Sequence, residues 1–225
     1  MADANTHAGG SYYTPNLRQY LTRTYTHETP AMVKSLERLQ EAAMPQINVT
    51  ALDGKLLAVL VKMMQARKVV EIGTLSGYSA LWMAGALPEG GQLWTIEADP
   101  AHAAVARRTF EESEHRGKIS LLEGRGMDVL PTLEPQGPFD VVFMDADKQS
   151  MPLYLDWARR HLRPGGLVMA DNSFLFGFLT DRVPEDGSYQ FVIDEVRRFH
   201  AELARDFDAM VIPTPEGLAI GVKRG

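Results

Sequence analysis

Val69-Val-Glu-Ile-Gly-Thr-Leu-Ser-Gly-Tyr-Ser79 is the stretch of this 225-residue chain that decides its fold. An apolar run of strand length leads into a turn with glycines at 73 and 77, and a helical pattern begins directly afterwards. The two glycines allow the backbone to approach a ligand closely, and the N-terminus of the following helix favours an anionic group. The spacing is G-x-x-x-G rather than G-x-G-x-x-G, so a site for a dinucleotide pyrophosphate is poorly supported.

Two acidic residues accompany this turn. Glu71 interrupts the apolar strand, where an ionised side chain is costly unless a cationic or amide-bearing ligand pairs with it. Glu97 ends the next apolar run, where a carboxylate can accept hydrogen bonds from both hydroxyls of a ribose. The alternative is a tight turn beside a solvated acid. The turn and Glu97 together favour a ligand that contains a ribose over that alternative.

Strand-like and helix-like segments alternate along the chain, which predicts an α/β fold with a doubly wound, mostly parallel, seven-stranded sheet and helices on both faces. The predicted strands are Lys68–Ile72, Gln92–Glu97, Lys118–Leu122, Phe139–Asp145, Gly166–Asp171, Ala209–Ile212 and Leu218–Val222. The last two are joined by so short a link that they must form an antiparallel C-terminal hairpin. We expect residues 1–43 to be an N-terminal extension and helix that supply lid or dimer contacts, and residues 44–225 to be the main domain.

Composition restricts the class of protein. A length of 225 residues suits one α/β domain, and the absence of cysteine excludes disulfides and thiolate metal sites. The net charge of −6 does not favour a nucleic-acid partner. We see no apolar run that indicates a signal peptide or a membrane span, so we expect a cytoplasmic protein with no membrane association.

Polar side chains follow two of the predicted strands at the point where each strand ends. Asp145 and Lys148 lie in Phe143-Met-Asp-Ala-Asp-Lys148, and Asp171 and Asn172 follow Ala170. Parallel strands deliver their carboxyl ends to one crevice, so these groups converge if the two strands are neighbours. Carboxylate and amide oxygens suit Mg²⁺ or Ca²⁺. A cation that acidifies a hydroxyl, beside an amine that can take its proton, indicates a reaction site.

Other interpretations of these residues remain open. The Asp145–Asp147 pair could cap a helix, and Asp171-Asn172 could be a simple turn. A D-x-D pair is also the metal site of sugar-nucleotide transferases, but the turn after the first strand gives that hypothesis no support. The six histidines have no i, i+4 pair, which argues against zinc, and no G-x-S-x-G motif indicates a hydrolase.

Four motifs in one order resemble the cation-dependent S-adenosylmethionine O-methyltransferases, the family of caffeoyl-CoA and catechol O-methyltransferases and their small bacterial relatives. They are Glu71–Ser79, Phe143–Lys148, Leu162-Arg-Pro-Gly-Gly166 and Asp171-Asn172. The resemblance runs from about Met44 to the C-terminus. It implies a Rossmann-like methyltransferase domain over residues 44–225, a homodimer, and methyl transfer from S-adenosylmethionine to a hydroxyl of a phenolic, catechol-like small molecule.

The resemblance also implies roles for individual residues. The divalent cation, Mg²⁺ first and Mn²⁺ or Ca²⁺ as alternatives, would be held by Asp145, Asp171 and Asn172, and Lys148 would be the catalytic base with Asp145 beside it. The cofactor would contact Val49, Glu71, Gly73, Ser79, Glu97, Gly126 and Asp145. Phe174, Phe176, Phe178 and the N-terminal tyrosines are candidates for apolar walls and a lid, or for packing.

The chain departs from the family at three points. Gly126 stands where the family often has alanine, and Arg125 beside it is bulky. Asn172 is followed by Ser-Phe-Leu-Phe-Gly177 rather than by an early tryptophan, which points to a different acceptor pocket. Two alternative functions stay open: methylation of a hydroxylated tRNA nucleoside, with Arg159, Arg160 and Arg163 as a basic patch, and a dimer that binds the cofactor without catalysis.

Overall fold

The structure is a computed structural model that describes residues 11–180 and 182–225, so the first ten residues of the predicted extension lie outside it. Helices α1 to α8 span Pro15–Tyr25, Pro30–Glu41, Ala51–Met63, Tyr78–Ala86, Pro100–Glu111, Gly126–Leu133, Met151–His161 and Gln190–Asp206. Strands β1 to β7 span Lys68–Ile72, Gln92–Glu97, Ile119–Glu123, Phe139–Met144, Leu162–Ala170, Phe207–Ile212 and Leu218–Lys223.

The seven strands form one sheet in the order β3-β2-β1-β4-β5-β7-β6. Strands β1 to β5 run parallel, and β7 pairs antiparallel with both β5 and β6. The predicted doubly wound sheet with an antiparallel C-terminal hairpin is therefore confirmed. Successive strands progress outward in one direction from β1 and in the other from β4, so the topological switch point lies between these two strands. Ligands of open α/β sheets bind in the crevice at such a point.

A row of backbone hydrogen bonds aligns the strand ends on both sides of this point. The N–H of Gly73 donates to Ile96 (2.9 Å), and the N–H of Asp145 donates to Ile72 (2.8 Å). The N–H of Asp171 donates to Met144 at 3.0 Å, which carries the row on to β5. The residues that follow β1, β4 and β5 therefore lie side by side along one edge, about 5 Å apart from strand to strand.

The core consists of two apolar layers, one on each face of the sheet. One layer packs α6, α7 and α8 against strand residues such as Val142 and Val168. The other packs α2, α3, α4 and α5 against Val141 and Leu167, the neighbours of those residues in sequence. Adjacent residues of a strand point to opposite faces, so strands covered on both faces are apolar throughout.

The described part of the N-terminal segment contains two helices. Part of the expected extension is helix α1, which begins with Pro15 after Thr14, whose hydroxyl accepts a hydrogen bond from the N–H of Leu17. Helix α2 buries Met32 and Leu39, and Met32 packs in the same apolar layer as residues of α3 and α4. Within residues 11–180 and 182–225, no helix is both long and apolar enough to span a membrane.

Candidate active site

A cavity of about 860 Å³ opens at the carboxyl edge of the sheet, between the ends of β1 and β4. Its walls include nine of the ten residues predicted for the site: Val49, Gly73, Ser79, Glu97, Gly126, Asp145, Lys148, Asp171 and Asn172. Small-molecule sites usually enclose about 300–1,000 Å³, so this cavity has room for a nucleoside cofactor and a small acceptor together. The tenth predicted residue, Glu71, does not line it.

Glu71 lies behind the cavity wall. Its side chain is fully buried, and its two oxygens accept hydrogen bonds from the hydroxyls of Ser79 and Thr95, each at 2.6 Å. Burial raises the pKa of Glu71 to about 8, with a further increase from the negative charges of Asp145 and Glu97, while the two hydroxyls offset part of the shift. The sequence predicted that a ligand would pair with Glu71, but two hydroxyls of the protein do so instead. Glu71 contacts Ser79, and Ser79 lines the cavity.

The glycine turn brings the chain after β1 against the chain after β4. Gly73 has φ +99°, and a Cβ atom at this position would lie 2.1 Å from the carbonyl oxygen of Asp145. Only glycine allows so close a contact in this conformation. Gly77 has φ +91°, but a Cβ there would meet the ring of Phe110 at 2.5 Å. The close approach predicted at Gly77 is therefore to the protein core and not to a ligand.

Glu97 fixes the same turn from the end of β2. Its Oε2 accepts hydrogen bonds from the N–H groups of Thr74 (3.1 Å) and Leu75 (2.7 Å), and its Oε1 accepts one from Asp99 (2.9 Å). Ser76 also lines the cavity, and its buried hydroxyl has no hydrogen-bond partner among the described residues. A buried hydroxyl normally has a partner, so Ser76 is a candidate contact for a ligand, which the sequence did not reveal.

Asp145 and Asp171 follow directly after the paired residues Met144 and Ala170. The side-chain nitrogen of Lys148 lies 3.2 Å from Oδ1 of Asp145. Lys148 is also the first residue of a short 3₁₀ helix over Lys148–Ser150. Asp171 is mostly buried, and burial raises its pKa to about 7, with the negative charge of Asp145 as the next cause. The strand ends therefore hold two carboxylates and one lysine in a confined space.

Asn172 takes the left-handed conformation (φ +52°), which asparagine tolerates better than most residues. Its backbone N–H donates to Oδ1 of Asp171 at 2.8 Å, and its side-chain nitrogen donates to Glu216 from the loop between β6 and β7. This arrangement leaves its amide oxygen available. In the part of the chain that the structure describes, no three His, Cys, Asp or Glu side chains are grouped to hold a metal ion, so a cation at this position would need the amide oxygen as a third ligand.

Asp147 and Tyr154 also line the cavity. An extended chain would point Asp147 away from Asp145, but the chain turns into the 3₁₀ helix, and Tyr154 donates a hydrogen bond to Asp147 at 2.6 Å. Burial and the neighbouring Asp147 raise the pKa of Tyr154. A Cβ on Gly126 would lie 2.9 Å from the Tyr154 ring, so Tyr154 occupies the space that an alanine methyl would need.

The predicted aromatic wall is only partly present. Phe176 lines the cavity, whereas Phe174 packs on Gly217 and Phe178 stacks edge-on with Tyr189 at a centroid distance of 5.3 Å. Among the described residues before Gln46, the cavity contacts Arg18 and none of the N-terminal tyrosines.

The comparisons with known proteins agree with this geometry. The sequence model of a family described as O-methyltransferase matches residues 23–224. The chain belongs to the S-adenosylmethionine-dependent O-methyltransferase family. Among its relatives is a catechol O-methyltransferase of Niastella koreensis, 40% identical over 186 residues, or 82% of each chain. Another is a catechol O-methyltransferase of Mycobacterium tuberculosis, 39% identical over 70% of this chain and 71% of that protein.

Solved structures of O-methyltransferases share the fold closely. TomG of Streptomyces achromogenes, an O-methyltransferase involved in tomaymycin synthesis and crystallised with S-adenosylmethionine, is 36% identical. The alignment covers 93% of this chain and 96% of that one, with a TM-score of 0.86. An O-methyltransferase of Bacillus cereus in complex with S-adenosylhomocysteine is 31% identical, covers 93% and 97% of the two chains, and has a TM-score of 0.85.

Proposed function

We propose that this O-methyltransferase transfers the methyl group of S-adenosylmethionine to one hydroxyl of a catechol-like small molecule and that it requires a divalent cation. The main support is the position of Asp145, Asp171 and Asn172 at neighbouring strand ends, with Lys148 beside them in one cavity. The names of the relatives from Niastella koreensis and Mycobacterium tuberculosis agree with a catechol acceptor.

The donor atoms at these strand ends fit a hard cation. Asp145 shares one carboxylate oxygen with Lys148, Asp171 shares one with the N–H of Asn172, and Asn172 directs its amide nitrogen to Glu216. Each of the three side chains thus keeps an oxygen without a hydrogen bond to any described residue. Mg²⁺, or alternatively Mn²⁺ or Ca²⁺, would be held by these oxygens. Such a cation, when bound, lowers the pKa of a hydroxyl on the acceptor.

Lys148 is the proposed base. Its side chain is mostly buried, and its Nζ lies 3.2 Å from Oδ1 of Asp145, which fixes the nitrogen over the strand ends where the acceptor hydroxyl would lie. Lys148 would act there as the neutral amine, since only that form can take a proton. Removal of the hydroxyl proton by a positioned amine accelerates methyl transfer, because the resulting phenolate attacks the methyl carbon and leaves the cofactor as a neutral thioether. The protein also orients the two reactants in line, and this positioning is a large part of the catalysis.

The cofactor is proposed to occupy the half of the cavity near β1 and β2. Glu97 would accept hydrogen bonds from the ribose hydroxyls, while Gly73 and Ser79 would lie near the methionine part. The unpartnered hydroxyl of Ser76 supports a polar ligand at this turn. Val49, Gly126 and Asp145 would complete the contacts, and Glu71 would act by holding Ser79.

Methylation assays with and without metal test this function. We expect catechol to be methylated in Mg²⁺, to lose turnover in EDTA and to regain it when Mg²⁺ is restored. Resorcinol has the same two hydroxyls in a 1,3 arrangement that cannot offer adjacent oxygens to one cation, and we expect it to be a poor acceptor. Full activity in EDTA would overturn the cation dependence, and equal use of resorcinol would overturn the requirement for adjacent hydroxyls.

The tRNA alternative receives no support from the proposed basic patch. Arg159 and Arg160 contact Asp156, and Arg163 contacts Asp140. Arg163 lies near the start of β5, at the opposite edge of the sheet from the cavity. The homodimer implied by the family stays a prediction, which sedimentation of the purified protein would test.

A further inference from the structure

Helix α1 contributes one charged side chain to the cavity. None of its residues is buried, and it packs against α3 on the outside of the domain. Arg18 nevertheless lines the same cavity as Lys148 and Asp171. A charged residue of a surface helix therefore lines the proposed active site.

The guanidinium of Arg18 has no hydrogen bond or ion pair with any residue that the structure describes, although the cavity wall is rich in acids. Each of those six acids has at least one other partner: Asp53 with Thr50, Glu97 with the N–H of Leu75, Asp145 with Lys148, Asp147 with Tyr154, Asp171 with the N–H of Asn172, and Glu216 with the amide of Asn172. Arg18 is exposed, so its donors face solvent and are not occupied by a described residue of the protein. Arginine binds carboxylates with two parallel hydrogen bonds, which makes it selective for that group.

The packing of α1 relates Arg18 to the end of β5, where the proposed acceptor lies. Helix α1 packs on α3, and Asp53 in the first turn of α3 lines one small space together with Asp171, which follows β5. Glu97, the proposed ribose contact, lies two strands beyond β4 on the other side of the switch point.

We propose that Arg18 is a specificity-determining residue that binds the carboxylate of an acidic catechol. Dihydroxybenzoates and dihydroxycinnamates are then preferred over neutral catechols of the same size. This inference rests on the proposed function, because the carboxylate is part of the acceptor whose hydroxyls lie near Lys148.

The test compares 3,4-dihydroxybenzoate with its neutral analogue 3,4-dihydroxybenzamide in Mg²⁺. Arg18→Gln should raise the ratio of the KM for the benzoate to the KM for the benzamide about tenfold, since charge-assisted hydrogen bonds are lost for one acceptor only. Arg18→Lys should restore part of the preference. Arg23→Gln removes a second exposed arginine of the same helix that does not line the cavity, and it should leave the ratio at the wild-type value.

Three results would overturn the inference. Equal changes for both acceptors would mean a structural role, an unchanged ratio would mean a solvated side chain, and a raised KM for S-adenosylmethionine alone would mean that Arg18 binds the carboxylate of the cofactor. If the wild-type protein methylates neither acceptor, the proposed function fails, and calorimetric titration of 3,4-dihydroxybenzoate into the S-adenosylhomocysteine complex decides the role of Arg18 separately. Weaker binding to Arg18→Gln supports the inference, and equal or absent binding overturns it.

Discussion

Acidic side chains at the ends of β1 and β2 are enclosed by donors of the protein, whereas those at the ends of β4 and β5 keep oxygens free. Glu71 and Glu97, which we call the cofactor half, accept five hydrogen bonds from hydroxyls and backbone N–H groups. Asp145 and Asp171, the acceptor half, have one lysine and one backbone N–H between them. The cofactor half is therefore held by hydrogen bonds of the protein itself, whereas the acceptor half keeps oxygens for the proposed cation.

The largest effect should come from a change of Lys148, the amine beside the acceptor half. Lys148→Met removes the proposed base without adding bulk, so we expect kcat to fall about 10²–10⁴-fold. Binding of the cofactor, measured by calorimetry, should be retained because the cofactor half is unchanged. Lys62→Met, at an exposed position of α3, is the matched control. A mutant with near-normal kcat would show that Lys148 is not the base.

The second-largest effect should come from removal of one carboxylate of the acceptor half, which should change the affinity for the cation. Asp171→Asn keeps the shape of the side chain and removes its charge, so affinity for the cation should fall about 100-fold or more, beyond the effect of losing an outer-shell partner of a metal. Turnover at fixed low Mg²⁺ should fall with it, and excess Mg²⁺ should restore part of the loss. Asp208→Asn, an exposed aspartate of β6, should behave as wild type. Unchanged dependence on Mg²⁺ would contradict the assignment of Asp171.

A change in the cofactor half should weaken binding of the cofactor and leave the dependence on Mg²⁺ unchanged. Glu97→Gln replaces a carboxylate oxygen by an NH₂ group that faces backbone N–H donors, so we expect the Kd for S-adenosylmethionine to rise about tenfold and the Tm to fall. The control is Glu123→Gln, since Glu123 pairs with Glu97 in the sheet but is exposed at the end of β3. An altered requirement for Mg²⁺ in Glu97→Gln would show that the halves are not separate.

The last effect concerns the pH dependence of stability and leaves turnover aside. The pKa of Glu71 is raised from its ordinary 4.5 to about 8, so between these values the folded protein keeps a proton that the unfolded chain has released. The free energy of unfolding should therefore fall as pH rises from about 5 to 8, by at most a few kcal/mol. Glu71→Gln mimics the protonated acid and should flatten this slope in urea titrations, relative to wild type and to the exposed Glu89→Gln. An unchanged slope would mean that Glu71 is ionised in the folded protein.

Much of this architecture could be predicted from the sequence because it depends on periodicity. Strands covered on both faces are apolar, and the glycine turn marks the end of β1, so the sheet and its carboxyl edge followed from local patterns. Strand β5 is longer than predicted: it begins at Leu162 and not at Gly166, because Phe139 pairs with Leu162 before a shift of register. Local apolar patterning cannot detect such a pairing.

The partners of individual side chains were harder to predict, because they come from distant parts of the chain. Glu71 was expected to need a ligand, but Thr95 supplies a hydroxyl from the neighbouring strand. Helix α1 buries no side chain, so its sequence has no apolar pattern that predicts a helix. Only Thr14-Pro15 indicates where it begins. Arg18 was therefore not predicted to line the cavity. Ser76 was not predicted either, because the residues next to it in sequence do not indicate whether its hydroxyl has a hydrogen-bond partner.

The contact between Gly73 and the carbonyl group of Asp145 has a consequence for how such an enzyme can diverge. A new acceptor can be accommodated by changes in the Ser173–Gly177 segment or in α1, which leave this contact untouched. A shift of the β4 end to suit a larger cation would instead press directly on the turn that faces the cofactor. Natural or laboratory variants should therefore exchange acceptors readily, while the choice of metal and the grip on the methyl donor change together or not at all.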